Sequence, residues 1–484
     1  MLAKTSPARV LYREPAYVYA LLLVSFATTG ALFYLLYRLL YPYLAITPVP
    51  SGVPQAGPGG PGQSQTPIDI MISVLSVALT SRPAVFLFYT ILLVSTFLNE
   101  LSYVPLAAYH RRLARMRARV DSARLPYVSV ILPAHNEERV IETAIETLTD
   151  LDYPNREVVV VNDGSTDLTE KRIWRYVQSG QIRLISRPCG GKAVAVNTGI
   201  AVARGEIIVV VDADSAPQRD TIRQLVVHFE DPGVVATSGN VKVGNRVNLL
   251  TKLQCLEYIR SINLRRRAFD VLDSELVVPG AIGAFRKSAY REVGTMDRDT
   301  VVEDMDLTVR LGKSGGDVRY EPHAVAFTEA PEDLRSLVKQ RMRWYGGTFQ
   351  TWLKHRHRWW SFGPLSSVGF PYLTLTMFFI PVVELVTLAF LFVYLVQGLF
   401  LGVLLAATSI LVIEFALSSA AVLLDDEDPR LILQTPIYAF VYRYLLDLIR
   451  VKAYWDVYRK RIGWTRPSRH GKLTDRVRES ALLR

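Results

Sequence analysis

The sequence predicts an α/β domain on an open, mostly parallel sheet, inserted between N- and C-terminal transmembrane helices. Three observations predict it. From Leu125 to about Trp344, short apolar β-branched runs alternate with helical patterns, the β-α-β-α order that builds a parallel sheet. The runs VVVV and IIVVV are continuous rather than alternating, as expected of strands buried on both faces. Apolar runs long enough to cross a bilayer lie on both sides of this region.

Taken in chain order, Ala16–Tyr37 carries no charge over about 22 residues, enough for ~30 Å of hydrocarbon. No small-residue cleavage site follows, which disfavours a removable signal peptide. Residues 42–67 are crowded with Pro and Gly and read as a flexible external loop. A second apolar region, Ile68–Pro105, is divided by Arg82-Pro83, and its later part is the better span. Six arginines between Arg111 and Arg124 follow, and basic residues beside a span mark the cytoplasmic side. The expected organisation is an N-terminal membrane region at 1–110, a cytoplasmic domain at 111–345, an interfacial helix with C-terminal spans at 346–450, and a basic cytoplasmic tail at 451–484.

Within the domain, strands are expected at Tyr127–Leu132, Glu157–Asn162, Ile182–Ile185, Glu206–Val211 and Val234–Thr237. Helices are expected at Glu138–Thr149, Leu168–Gln178, Ala193–Ala203 and Arg219–Phe229. Leu334–Arg358 is basic and aromatic and suits a helix at a membrane surface. Gly369–Val396 and Leu399–Leu424 read as spans, with the acids Glu384 and Glu414 inside them. Buried acids are costly in lipid and face a cavity or a partner, so Glu384 is expected to line a polar path. Leu431–Leu448 is weaker, containing Arg443 and Asp447. It is assigned as interfacial or re-entrant, because a further span would carry the basic tail outside, against the positive-inside tendency.

Composition excludes other classes. Half of the 484 residues are hydrophobic and 21% are charged, which rules out a disordered or fibrous chain and disfavours a wholly soluble one. Two cysteines, Cys189 and Cys255, exclude a disulfide scaffold and a cysteine-rich zinc module. The net charge of +11 concentrates beside the apolar runs rather than on the soluble domain. Lipid headgroups therefore account for it better than nucleic acid does.

The chemistry lies in acids placed just past strand ends. Asp163 follows VVVVN, and Asp212 and Asp214 follow EIIVVV. Ligands of open parallel sheets bind in the crevice at the carboxyl ends of the strands. A cluster of carboxylates there repels itself, and a divalent cation with a diphosphate relieves that repulsion. In GGKAVAVNTG, two glycines and Lys192 open a helix, where backbone N–H groups and an ammonium can face an anion. The eight-residue phosphate loop is absent, and the first strand ends in PAHNEE rather than in G-x-G-x-x-G, so nicotinamide and ATP readings are weak. Further on, VVEDMDL places Glu303 and Asp304 together before a helical pattern. In QRMRW, Gln340, Arg343 and Trp344 share a helical face at i, i+3 and i+4.

The ordered set PAHNEE, VVNDGSTD, GGKA, DADS, PGAIGAFR, VEDMDL and QRMRW resembles the family 2 glycosyltransferases, the processive membrane synthases of cellulose, chitin, hyaluronan and poly-N-acetylglucosamine. The resemblance covers Tyr127 to Trp344 and the flanking membrane layout. Within the family, SGNVKVGNRVNLLTKLQCLEY, VVPGAIGAFR and TEAPEDL look most like the poly-N-acetylglucosamine synthase type. The resemblance implies a GT-A-like, Rossmann-like domain and a metal-dependent inverting transferase using Mg2+ or Mn2+.

Residue by residue, it implies nucleotide-sugar contacts from Pro133, His135, Glu137, Asp163, Lys192, Asp212 and Arg343. Asp163 resembles the residue that meets uracil, although Asn162 stands where many relatives carry another Asp. Asp214 resembles the metal ligand and Asp304 the general base. Gly280, Gly283, Glu303, Gln340 and Trp344 resemble the acceptor-binding set. The implied partners are a UDP-sugar, a polysaccharide or oligosaccharide acceptor and membrane lipid, with no nucleic acid; an accessory subunit is left open. The implied location is a multi-pass place in the cell membrane with the catalytic domain cytoplasmic. The alternative is a non-processive enzyme that moves one sugar to a polyprenyl phosphate, with the same fold and D-x-D pair.

Overall fold

The computed structural model describes residues 100–117, 125–358 and 363–459 except 397 and 399, together with residues 20, 23 and 27. The expected N-terminal spans, the 42–67 loop and the basic tail from 460 onward lie outside the described residues, apart from those three positions and the end of the second region.

Helix α1 (Tyr103–Arg117) leads into the domain. There follow β1 (Val128–Ala134), α2 (Ile141–Thr149), β2 (Arg156–Asp163), α3 (Thr169–Gln178), β3 (Arg183–Arg187), α4 (Lys192–Val202) and β4 (Ile207–Val210). These are the elements the periodicity predicts. Each strand of this half pairs parallel to its neighbour: β1 with β2, β2 with β3 and β1 with β4. Alternate residues of β1 serve two cores. Val128, Val130 and Leu132 pack with α2, while Ile131 packs with α4. Helices therefore cover both faces, which explains the continuous apolar runs of β1, β2 and β4.

The second half corrects the expected mostly parallel sheet. After the short β5 (Ser215–Pro217) and α5 (Thr221–Val226) come β6 (Val234–Val243), helices α6 (Leu249–Glu257) and α7 (Arg265–Val271), β7 (Gly283–Arg286), α8 (Lys287–Val293), α9 (Glu303–Lys313) and β8 (Asp317–Thr328). The sheet order is β3-β2-β1-β4-β7-β6-β8-β5. Strand β7 runs antiparallel to both β4 and β6, β5 runs antiparallel to β8, and only β6 and β8 are parallel here. The sheet is mixed because β7 is inserted between β4 and β6 and runs antiparallel to both. A seven-residue π-helical stretch, Tyr258–Leu264, joins α6 to α7.

Helix α10 (Leu334–His355) continues unbroken through the QRMRW motif. Among the described residues, two helices are long and apolar enough to cross a membrane: α11 (Leu365–Val396) and the Ala406–Leu424 part of α12 (Phe400–Leu424). They coincide with the two C-terminal runs expected as spans. The weaker stretch after them forms helical turns from Thr435 and ends in α13 (Arg443–Tyr458), which packs along α10.

Candidate active site

The site is built where strand ends meet the starts of α4, α9 and α10. Asn136 takes a left-handed φ of 53° at the end of PAHNEE. This turn lets two motifs latch: Asn136 N–H donates to Ser165 Oγ at 2.9 Å, and Thr166 N–H donates to Asn136 Oδ1 at 2.8 Å. Glu137 N–H donates to Thr169 Oγ1 at 2.8 Å. His135 Nδ1 lies 2.7 Å from the Asp163 carbonyl, which can only accept, so Nδ1 carries the proton.

Asp163 is buried at the end of β2, and its carboxylate is already engaged. Gly190 N–H reaches Oδ1 at 2.9 Å, Gly191 N–H reaches Oδ2 at 2.7 Å, and Arg187 pairs with Oδ1. Gly191 adopts φ +89°, which a side chain would resist and which turns its N–H toward Asp163. Asp163 thus shapes one wall of the cavity through the glycine loop, a set of partners that the motif alone did not indicate.

Lys192 crosses the cavity instead of facing the loop. Its Nζ is 2.6 Å from Asp212 Oδ1 and 3.6 Å from Glu303 Oε1. Burial opposes its charge, but Asp212, Glu303 and Asp304 outweigh burial and hold the ammonium above its ordinary pKa. Burial pushes the Glu303 carboxyl up, against the pull of Lys192. Asp304 opens α9, where a carboxylate suits the positive helix end. It accepts from Met305 N–H at 2.8 Å and from Gly280 N–H at 3.2 Å, which ties the Pro279–Ala281 loop to α9.

From α10, Gln340, Arg343 and Trp344 enter the same space. The Arg343 Nε is buried without a hydrogen-bond partner among the described residues. Pro133, His135, Glu137, Asp163, Lys192, Asp212, Asp214, Gly280, Glu303, Asp304, Gln340, Arg343 and Trp344 all line one cavity of about 620 Å³. Of the predicted site residues, Gly283 alone does not line it. Gly283 sits inside β7, paired with Val210 and Ser238 and packed on Val278.

The cavity continues between the helices to Glu384, which is 3.3 Å from Arg443; Arg443 in turn meets Glu414 at 2.8 Å. Glu384 therefore has both a cavity face and an ionic partner. Tyr103, Tyr258, Tyr345, Tyr372, Tyr438 and Tyr454 line this deeper part, offering flat apolar faces of the kind sugars stack on. Sequence reasoning missed Arg187, Glu257 and Arg341, the last lying inside QRMRW itself.

Among the described residues, two other groupings of possible ligands come close enough to hold a cation. Asp297, Asp299 and Asp306 surround Lys354 Nζ at 2.7, 3.0 and 3.0 Å, so an ammonium already satisfies them. The His135, Asp163 and Cys189 group shares the carboxylate that Arg187 and the glycine loop occupy. Of the D-x-D pair, Asp212 is turned to Lys192, while Asp214 offers hard carboxylate oxygens on the cavity wall, a ligand type that fits Mg2+ or Mn2+.

In sequence and fold the chain is similar to known glycosyltransferases. Residues 129–294 match the family model described as Glycosyl transferase family 2. The chain is 30% identical over 229 residues to poly-beta-1,6-N-acetyl-D-glucosamine synthase of Staphylococcus aureus strain COL, covering 47% of this chain and 56% of that protein. It is 29% identical over the same length to the Staphylococcus epidermidis protein of that name, with the same coverage. The chain thus spans about half the length of the curated relatives it matches. In fold it is similar to the mannosyltransferase PcManGT from Pyrobaculum calidifontis, solved with GDP-Man and Mn2+: TM-score 0.52, 22% identity, covering 80% of this chain and 99% of that one. The α/β domain with its mixed sheet is GT-A-like, and the chain carries a glycosyl transferase family 2 domain.

Proposed function

We propose that the chain transfers a sugar, N-acetylglucosamine by preference, from a UDP-sugar to the growing end of a β-linked polysaccharide, with inversion at the anomeric carbon. The observation that carries this reading is convergence. Acids from β2, the β4 end and α9, together with Gln340, Arg343 and Trp344 of α10, line a single cavity. The similarity to poly-beta-1,6-N-acetyl-D-glucosamine synthases supports the choice of sugar.

Uracil lies at the wall built by Pro133, His135, Glu137 and the Asp163-bound loop. Asp214, with Asp212 beside it, would hold a divalent cation, which when bound neutralises charge on the leaving diphosphate. Lys192 and Arg343 add fixed positive charge at that end of the cavity, in place before the reaction begins. Asp304 takes the proton from the acceptor hydroxyl as its oxygen attacks the anomeric carbon. The new glycosidic C–O bond forms as the bond to the UDP oxygen breaks, and the electron pair leaves with UDP. Gly280, Glu303, Gln340 and Trp344 bound the acceptor side. Trp344 offers the acceptor ring a flat face. The tyrosine-lined continuation toward Glu384 gives the product a way between α11 and α13, with the domain on the cytoplasmic side of the membrane.

The test is incubation of the full chain, in detergent or vesicles, with several UDP-sugars and Mg2+ or Mn2+. Released UDP is measured, and the radiolabelled product is sized and digested with linkage-specific glycosidases. UDP-N-acetylglucosamine should give a polymer cut by a β-hexosaminidase. A product of one sugar on a polyprenyl phosphate would replace this reading with lipid glycosylation, and no UDP release from any donor would end it.

A further inference from the structure

The second residue of QRMRW has no assigned role, yet it is the largest fully buried side chain of the described structure. Arg341 is 0% exposed. Its guanidinium fork meets Glu257 of α6 in two bonds, Nε to Oε1 at 3.1 Å and Nη2 to Oε2 at 2.7 Å. A third donor, Nη1, goes to Gln340 Oε1. The guanidinium carbon lies 4.2 Å from the Trp344 ring centre. On the far side of Glu257, the Tyr442 hydroxyl donates to Oε2 at 2.6 Å. One cation therefore touches two cavity residues at once, and both are held through one carboxylate to the C-terminal helices.

We propose that Arg341, braced by Glu257 and Tyr442, is a positioning residue for the acceptor side of the site. It contacts no reacting atom in the mechanism above. Because its Nη1 occupies the Gln340 Oε1, the Gln340 amide is oriented with its NH2 group left for the cavity. The guanidinium over its ring fixes the tilt of Trp344, which also meets Tyr258 with ring centres 6.0 Å apart. A Lys at this place keeps the charge but has neither the fork nor the flat face. The brace also crosses elements: Tyr442 directly precedes Arg443, which meets Glu384 and Glu414 of the membrane helices. The acceptor wall and the route for product are thereby set by adjacent residues where the preceding helical turns run into α13.

This inference rests on the transfer reading, and its test separates the two. The variants are Arg341→Lys, Tyr442→Phe and the double change in the full chain. For turnover, Arg341→Lys should lower kcat about 100-fold, the loss expected when a reacting group is misplaced by about 1 Å, with the donor KM kept within about twofold. Tyr442→Phe removes a single hydroxyl and should lower kcat about tenfold, and the double variant should be no worse than Arg341→Lys alone. The second readout needs no activity. The fluorescence of Trp344 is isolated by subtracting the spectrum of a matching Trp344→Phe protein. It should shift to the red in Arg341→Lys and partly so in Tyr442→Phe. Donor KM rising in step with the fall in kcat, or an unchanged Trp344 spectrum in both variants, would overturn the proposal. If the unsubstituted chain transfers no sugar, the transfer reading fails, while the Trp344 spectra still decide the positioning claim. Tyr442→Phe keeps the test valid should Arg341→Lys fail to fold.

Discussion

Replacing Gly280 with alanine tests the site through a single methyl group. A Cβ at this position would lie 2.5 Å from Lys192 Nζ and 3.3 Å from Asp212 Oδ1. Ordinary contact begins at 3.4 Å, so the ammonium must withdraw by about 0.9 Å. The obstacle is the tip of a flexible side chain, not backbone, so the fold should accommodate it with little loss of stability. The site should not: Lys192 would leave its 2.6 Å pairing with Asp212 and open its contact with Glu303. A displacement near 1 Å in positioning groups costs up to ~100-fold in rate, so kcat should fall between about 10- and 100-fold, or about 1.4–2.7 kcal/mol of barrier. The assay is UDP release at saturating donor, beside thermal unfolding of the same preparation. Because Lys192 stays charged well beyond neutral pH, the loss should not be recovered by changing pH between 6 and 9. The decisive control is a cycle with Lys192→Met. If the methyl acts through the lysine, Gly280→Ala should add almost nothing in that background. Unchanged kcat in Gly280→Ala, or two losses that simply multiply, would refute the reasoning.

Other expectations follow from the same contacts. Asp304→Asn should lower transfer by about 10²–10⁴-fold, the range for removing a general base, while UDP affinity by calorimetry stays within about twofold. Asp214→Asn should abolish the metal-dependent rate, and a chelator should do the same to the unsubstituted chain; full activity in chelator would contradict the ligand assignment. Burial pushes the Glu275 carboxyl up to about 7, against the pull of Arg266 and Arg265. Its neutral form is therefore favoured in the folded state, so its contribution is full below pH ~4.5 and is lost as pH rises through 7. Relative to Glu275→Gln, the unsubstituted chain should lose about 3 kcal/mol of stability between pH 4.5 and 8, read from unfolding midpoints; parallel curves would contradict this.

The parallel half of the sheet was legible because β1, β2 and β4 carry continuous β-branched runs buried on both faces, a pattern that few other structures impose. The rest was not, for local reasons. Strand β7 is GAFR, four residues opening with glycine, and it reads more naturally as part of a binding loop. Strand β8 contains Pro322, a residue that demotes a strand on sequence alone, and its pairing with β6 slips beside that proline. Strand β5 is the three residues Ser215–Pro217, below any periodicity.

The acids were legible because a carboxylate just beyond an apolar strand has no structural reason to be there. Their partners were not, since Lys192 meets Asp212 and Glu303 only after β4 and α9 are brought together by the fold. Arg341 illustrates the same limit. On a helical wheel it is one more basic residue in a basic helix, and only its contact with Glu257, 84 positions earlier, reveals it as buried.

The most direct test of the central claim is a structure of the full chain with UDP-N-acetylglucosamine and Mn2+ bound. The account predicts nucleotide density against Pro133, His135 and the glycine loop, the diphosphate between Asp214 and Arg343, and the anomeric carbon facing Asp304. Nucleotide bound outside this cavity, or an anomeric carbon turned away from Asp304, would contradict it.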